Sequence, residues 1–253
     1  WLKAVWESCE KPLEYYDNNI IWSIKLFELM EEYDVRNIIF SSSATVYTID
    51  TPFLHGLWES DTAGMTTNPY ASTKYLTEEI IKKLTENSRF RGISLRYFNP
   101  IWAHESGFIG EDPRAIPNNL MPYIMKVVMG ELDMIRIFGN DYPTRDGTGI
   151  RDYIDVNDLT RWHVAAWKFL EKMPPSSYEL FNLGSGKGTS VLEIIKGAEK
   201  IIGHTLPLSF ESRRTGDMPE FYCDPEKARK KLGWQAKINI EESIRNSYNF
   251  YAK

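Results

Sequence analysis

Apolar residues recur every three or four positions over 12–33, at Leu13, Tyr16, Ile20, Ile24, Phe27 and Met30, which predicts a long amphipathic helix with Pro12 in its first turn. Past Asp34 the run Val35-Arg36-Asn37-Ile38-Ile39-Phe40 is short, apolar and β-branched. It predicts a buried parallel strand, with the polar Ser41-Ser42-Ser43 just beyond its carboxyl end. The order repeats in a helix over 70–84 and a strand over 92–98 that closes on Asn99-Pro100. Two strands joined by a helix imply a right-handed crossover within one sheet, so the first hundred residues predict a doubly wound α/β unit.

After Pro100 the pattern changes to Gly, Pro and Asn punctuation, as in Gly110-Glu111-Asp112-Pro113 and Ile116-Pro117-Asn118-Asn119, which predicts a change of domain. Helices are expected over 119–128, 158–170 and 191–202, and strands over 134–138 and 178–183. No internal repeat or low-complexity tract interrupts them.

Composition removes several functions. With 42% apolar and 26% charged residues over 253 positions, the chain reads as an ordinary folded protein. A net charge of −5, with basic residues interleaved with acids over 226–231, excludes an electrostatic nucleic-acid surface. Cys9 and Cys223 lie far apart with no CxxC spacing, so neither a disulfide framework nor a zinc knuckle is expected, and a reducing, cytoplasmic setting is the default. No apolar run approaches the roughly 20 residues that span a bilayer, and the first residues lack a signal-peptide shape, so no membrane partner is expected. His55, His104, His163 and His204 show no ligand spacing, so no metal is expected and each reads as a solvated or packing residue.

The informative chemistry is Tyr70-Ala71-Ser72-Thr73-Lys74. Four residues apart, the phenol and the amine share one helical face, and an adjacent ammonium favours the phenolate that a general base for a sugar hydroxyl requires. Alone the spacing is weak, since any surface helix could carry it. Ser43 strengthens it, because open α/β sheets place their ligands at the carboxyl ends of their strands. By contrast, Gly184-Ser185-Gly186-Lys187-Gly188 imitates a phosphate loop but fails the spacing, with Phe181 where a Walker glycine belongs, and it reads as a strand-to-helix turn.

Strand, serine cluster and YxxxK helix in this order resemble the extended short-chain dehydrogenase/reductases. The likeness narrows to the UDP-glucose 4-epimerases through seven further stretches: Ser41-Ser42-Ser43-Ala44-Thr45-Val46-Tyr47, Asn68-Pro69-Tyr70, Leu95-Arg96-Tyr97-Phe98-Asn99-Pro100, Ile116-Pro117-Asn118-Asn119-Leu120, Arg151-Asp152-Tyr153-Ile154, Asn182-Leu183-Gly184-Ser185-Gly186 and Arg213-Arg214-Thr215-Gly216-Asp217. The resemblance implies a partial doubly wound, Rossmann-like parallel sheet with a smaller α/β substrate-binding domain. Residues 1–100, rejoined by 140–185, would form the remaining half of the NAD-binding domain, and 101–253 the UDP-sugar-binding domain. It implies Tyr70 as base, Lys74 holding the cofactor ribose and lowering the Tyr70 pKa, and Ser43 positioning the hydroxyl. Lys3, Asn18, Ser41, Tyr70, Lys74 and Phe98 would line NAD, and Asn99, Asn119, Leu120, Phe138, Arg151, Arg214 and Asp217 the UDP-sugar. Guanidinium forks suit a pyrophosphate, although surface solvation accounts for such arginines equally well. A homodimer through the helices over 12–33 and 70–84 is also implied.

The chain departs from the family in carrying no GxxGxxG turn, and it is expected to begin inside a family helix. The expected consequences are an exposed apolar sheet edge and a void filled by Trp1, Trp6, Trp22 and Trp102, which stand where the family has small residues. Thr48 and Ala115 likewise replace family glycines, and Asp155 replaces a histidine with no consequence legible in the sequence. A second reading is therefore a truncated or engineered, non-catalytic variant that keeps the fold without NAD, either as a nucleotide-sugar binder or as a structural fragment; a third is one part of a longer protein.

Overall fold

The computed structural model describes residues 1–48, 56–113, 116–214 and 217–253, so Ala115 and His55 lie outside the described residues. The chain opens with α1 (Val5–Glu10), α2 (Pro12–Tyr16), a π turn (Asp17–Ile21) and α3 (Trp22–Glu32), followed by β1 (Asn37–Ser43). Next, α4 (Pro69–Asn87) crosses to β2 (Arg91–Tyr97), which leads into β3 (Asn99–Ile101), α5 (Leu120–Val128), β4 (Ile135–Phe138) and β5 (Ile150–Asp155). Then come α6 (Val156–Leu170), β6 (Ser177–Leu183), β7 (Gly188–Ser190), α7 (Val191–Ile202), β8 (Leu208–Glu211), β9 (Glu220–Phe221), α8 (Glu226–Leu232) and α9 (Ile240–Tyr251).

Strands β1, β2 and β6 form a parallel sheet in that order. One face packs under α4, where Phe27, Ile38, Ile81 and Phe90 are buried together. The other packs under α6, where Ile93, Leu95 and Phe181 meet Trp162 and Leu170. This is the α/β/α layering expected of a doubly wound sheet, and burying each such side chain stabilises it by roughly 1.5–3 kcal/mol. A second core gathers Ile124 and Met125 of α5, Ile135 and Ile137 of β4, Ile194 and Ile195 of α7 and Ile244 of α9. Between the two, β3 pairs β5 in parallel, and β5 pairs β7 antiparallel and β9 in parallel.

The first helix is not the straight amphipathic rod its periodicity predicts. It is broken between α1 and α2 and passes through a π turn before α3, and its buried positions are Ser8, Tyr15, Asn19, Ser23 and Phe27 while Leu13 is 82% exposed. Trp6 and Trp22 fall on the outer face, and the four indoles at 1, 6, 22 and 102 are 50%, 69%, 65% and 39% exposed, so they do not plug a void. Trp1 nevertheless leans on the edge of the sheet, its ring centroid 5.4 Å from that of Phe40.

Strand β1 also runs further than its apolar run, through all three serines, because parallel pairing continues from Asn37–Arg91 to Ser43–Tyr97. Asp155 has a structural role: its carboxylate caps α6, accepting from the Asn157 amide at 2.8 Å and the Asn157 side chain at 2.6 Å. Thr48 is buried, and its hydroxyl accepts from the Met65 amide at 3.2 Å. Among the described residues, no helix is long and apolar enough to cross a membrane.

Candidate active site

The site is built where β1 ends and α4 begins. Asn68 caps α4 by accepting from the Ala71 amide at 2.9 Å, and Pro69 supplies the pre-set φ of a first helical residue, so Tyr70 is fixed in the opening turn. Tyr70 and the serine at the end of β1 then meet: the Ser43 hydroxyl is near enough to the phenol to lower its pKa. One turn further, the Lys74 ammonium donates to the Ser41 carbonyl at 2.7 Å and sits 5.7 Å from the Tyr70 ring centroid. Its other faces are aromatic, with Trp1 at 4.1 Å and Phe40 at 5.0 Å.

The electrostatics differ from the sequence expectation. Burial raises the Tyr70 phenol above its ordinary value, opposed by the Ser43 hydroxyl, so the expected lowering by Lys74 is not what governs this arrangement. Lys74 itself bears the larger perturbation: burial pulls it from 10.5 to about 8, with the nearby Glu78 carboxylate acting in the opposite sense. A second hydroxyl chain adjoins it. Tyr97 donates to Ser41 Oγ at 2.7 Å and meets His163 Nε2, while His163 Nδ1 lies 2.8 Å from the Leu159 carbonyl. Burial pushes Tyr97 up to about 12.

The remaining candidates fall into two further groups. Phe98 is buried against Phe221, and Asn99 opens β3 opposite Tyr153, two positions beyond the β2 residue that faces Ser43. Asn119 precedes α5 and donates to Glu111 at 2.9 Å, and the same carboxylate lies 3.7 Å from the Lys3 ammonium. Glu111, which the sequence did not single out, thus joins a candidate cofactor residue to a candidate sugar residue. Leu120 is half-buried at the first position of α5. In the other group, Arg214 lies over the Phe138 ring at 3.8 Å, and Arg151, donating to the Met218 carbonyl at 2.8 Å, reaches Asp217 at 3.6 Å. Arg213 turns away to Asp141 at 2.7 Å.

Asn18 is half-buried on the π turn, and it is the neighbouring Asn19 that makes the long-range bonds. Asn19 is fully buried and clamps both backbone polar groups of Leu2 at 3.0 Å and Thr73 of α4 at 3.2 Å, which holds Lys3 beside the catalytic helix. The glycine loop after β6 is a turn, as expected, and its donors are already satisfied. Ser185 and Gly186 give their amides to the buried Asp152 carboxylate at 2.7 and 3.0 Å, so the loop cradles an internal anion. Among the described residues, no group of His, Cys, Asp and Glu is placed to hold a metal ion.

A doubly wound sheet with Ser43, Tyr70 and Lys74 gathered at its carboxyl edge defines an extended short-chain dehydrogenase/reductase. Residues 2–247 match the GDP-mannose 4,6 dehydratase family model. The chain is 49% identical over 251 residues to the UDP-glucose 4-epimerase of Bacillus subtilis, covering 98% of this chain and 72% of that one. It is 48% identical over 252 residues to UDP-glucose 4-epimerase 2 of Arabidopsis thaliana, covering 98% and 70%. Among solved structures, the Bifidobacterium longum UDP-glucose 4-epimerase in complex with NAD+ and UDP superposes with a TM-score of 0.91 at 46% identity, covering 99% of this chain and 74% of that one. The chain belongs to the UDP-glucose 4-epimerase family.

Proposed function

We propose that this chain interconverts UDP-glucose and UDP-galactose, by oxidising the C4 hydroxyl to a ketone and reducing it again on the opposite face. The observation that carries the proposal is the convergence of Ser43, Tyr70 and Lys74 at the end of β1. The UDP-glucose 4-epimerases it resembles favour this reading over a non-catalytic binder, because the likeness runs along nearly the whole chain.

In this reading Tyr70 exchanges the proton of the C4 hydroxyl and Ser43 holds that oxygen in line with the phenol. NAD, when bound, supplies the acceptor that takes the C4 hydride and gives it back. The residues present fit its ribose side: beyond the Ser41 carbonyl and the Trp1 ring, the buried Lys74 ammonium retains donors for hydroxyl groups, and Lys3, 73% exposed at its side chain, is held beside α4 through Leu2 and Asn19. In this reading Arg151 and Arg214 bind the UDP pyrophosphate, Asp217 accepts from ribose hydroxyls, and Asn99, Asn119, Leu120 and Phe138 line the rest of the UDP-sugar.

The epimerase from Stenotrophomonas maltophila, 40% identical, is solved with NAD and formylated UDP-arabinopyranose, which supports the same cofactor and ligand class here. A homodimer accompanies this reading. Trp22, Leu26, Leu29 and Tyr33, each more than half exposed, repeat at four- and three-residue steps along one side of α3 and its end, and Leu76 of α4 is also exposed. Incubation with NAD and UDP-galactose, followed by chromatographic separation of the UDP-hexoses, should yield UDP-glucose. Protein that binds UDP and NAD yet leaves UDP-galactose unconverted would refute the assignment.

A further inference from the structure

One turn below Lys74, on the same face of α4, lies a buried acid that neither the sequence motif nor the site described above employs. Glu78 is 3% exposed, and three donors hold it. Ser42 Oγ donates to its Oε1 at 2.5 Å, Arg96 Nε donates to the same oxygen at 3.0 Å, and the second Arg96 nitrogen donates to Oε2 at 2.6 Å. The guanidinium, 3% exposed on β2, lies 4.5 Å over the ring of the buried Tyr47, whose hydroxyl donates to Asn182 of β6 at 2.6 Å. Strand β1 therefore grips α4 at two successive turns through adjacent residues, the Ser41 carbonyl on Lys74 and the Ser42 hydroxyl on Glu78.

Such a fork-to-fork pair fixes the rotation of the helix, and its carboxylate also places a negative charge within one turn of a buried ammonium. We infer that Glu78 is a positioning residue for the reaction, holding Lys74 charged and aimed at the Ser41 carbonyl. This inference rests on the role proposed for Lys74. The groups facing Lys74 are the Ser41 carbonyl and Phe40 from β1, Trp1 from the N-terminal stretch, and Tyr70 and Glu78 from α4. Those facing Glu78 are Ser42, Arg96, and the phenols of Tyr75 and Tyr178. Glu78 is therefore the acid among the groups identified around Lys74, and its carboxylate opposes the lowering that burial imposes on that amine.

The test reads Lys74 directly in the full chain, by competitive acetylation across pH with mass-spectrometric quantification of the peptide that carries it. Glu78→Gln should lower the titration midpoint of Lys74 by about one pH unit, and Glu78→Asp, which retains the charge, should restore most of that shift. Should Glu78→Gln fail to fold because Arg96 is left unpaired, the neutral double variant Glu78→Gln/Arg96→Met keeps the volume, removes the orphaned charge and should show the lowered midpoint. A folded variant whose Lys74 midpoint equals that of the unmodified protein overturns the inference and leaves Glu78 a packing residue. Parallel epimerisation assays separate the two failures: a shifted midpoint without UDP-hexose interconversion by the unmodified protein indicts the function, and an unshifted midpoint beside normal interconversion indicts Glu78.

Discussion

Two arginine–carboxylate pairs in this chain use the same chemistry to opposite ends. Arg96 and Glu78 are almost wholly buried, joined by a two-pronged contact and braced by Ser42, so their charge is spent on fixing α4 against β2. Arg151 and Asp217 meet at 3.6 Å near the surface, with side chains 19% and 39% exposed, and the Arg214 guanidinium lies 3.8 Å over the Phe138 ring. Removing one partner of a buried pair strands a charge in the interior, whereas an exposed pair contributes at most about 1 kcal/mol and can exchange its partner for a ligand. The contrast teaches that position, more than residue type, decides which arginines scaffold the site and which are available to a pyrophosphate.

The largest expected effect lies at the catalytic end of the scaffold. Tyr70→Phe should lower epimerase turnover by about 10²–10⁴-fold while leaving UDP affinity nearly intact, as measured by steady-state kinetics beside calorimetry. Unchanged turnover would show that another group moves the proton. Breaking the buried pair comes next: Arg96→Met should cost about 3–5 kcal/mol in urea unfolding, and a loss below 1 kcal/mol would erase the distinction between the two pairs. For Arg214, whose carbonyl accepts from the Asp217 amide, the balance should reverse. Arg214→Ala should weaken UDP binding by about 1.5–3 kcal/mol with no measurable change in unfolding midpoint.

Smaller effects sharpen the picture around Lys74. Its pKa falls from 10.5 to about 8 on folding, so between those values the unfolded chain binds more protons and stability should rise with pH. The cost of the buried ammonium is fully present below pH 8 and is relieved above it. Denaturation of Lys74→Met should lack that rise, and parallel curves for the two proteins across pH 8–10 would contradict it. Last, Trp1→Gly removes the indole over the buried Lys74 ammonium and should tighten NAD binding in fluorescence titration. Weaker NAD binding would mean that the indole supports the cofactor.

The legible parts of the fold were those whose periodicity coincides with burial. The helix over 191–202 appears with the same bounds, because Ser190 and Glu193 close a capping box at one end and Gly203 takes a left-handed cap at the other. Strand β5 was missed because its inward positions are Ile150, Asp152 and Ile154, an alternation broken by a buried acid. Helix α9 was missed for a related reason: Ser243, Asn246 and Ser247 occupy its buried face beside Ile244. The tryptophans misled because a substitution pattern does not say which way a side chain faces.

The sequence alone determined the helix–strand–helix–strand order of the first hundred residues, the family and the YxxxK pair, because each is written in local spacing and residue chemistry. Tertiary structure alone decided which charges are satisfied inside. Glu78 reads as one acid among several on a polar helix, and only the pairing of β1 with β2 brings Ser42 and Arg96 onto it. Asp152 reads as one residue of the Arg151-Asp152-Tyr153-Ile154 stretch that carries the family resemblance, and only the fold aims a glycine loop's amides at it. Burial is a property of neighbours distant in sequence, and burial is what turns an ordinary carboxylate into a fixed electrostatic element.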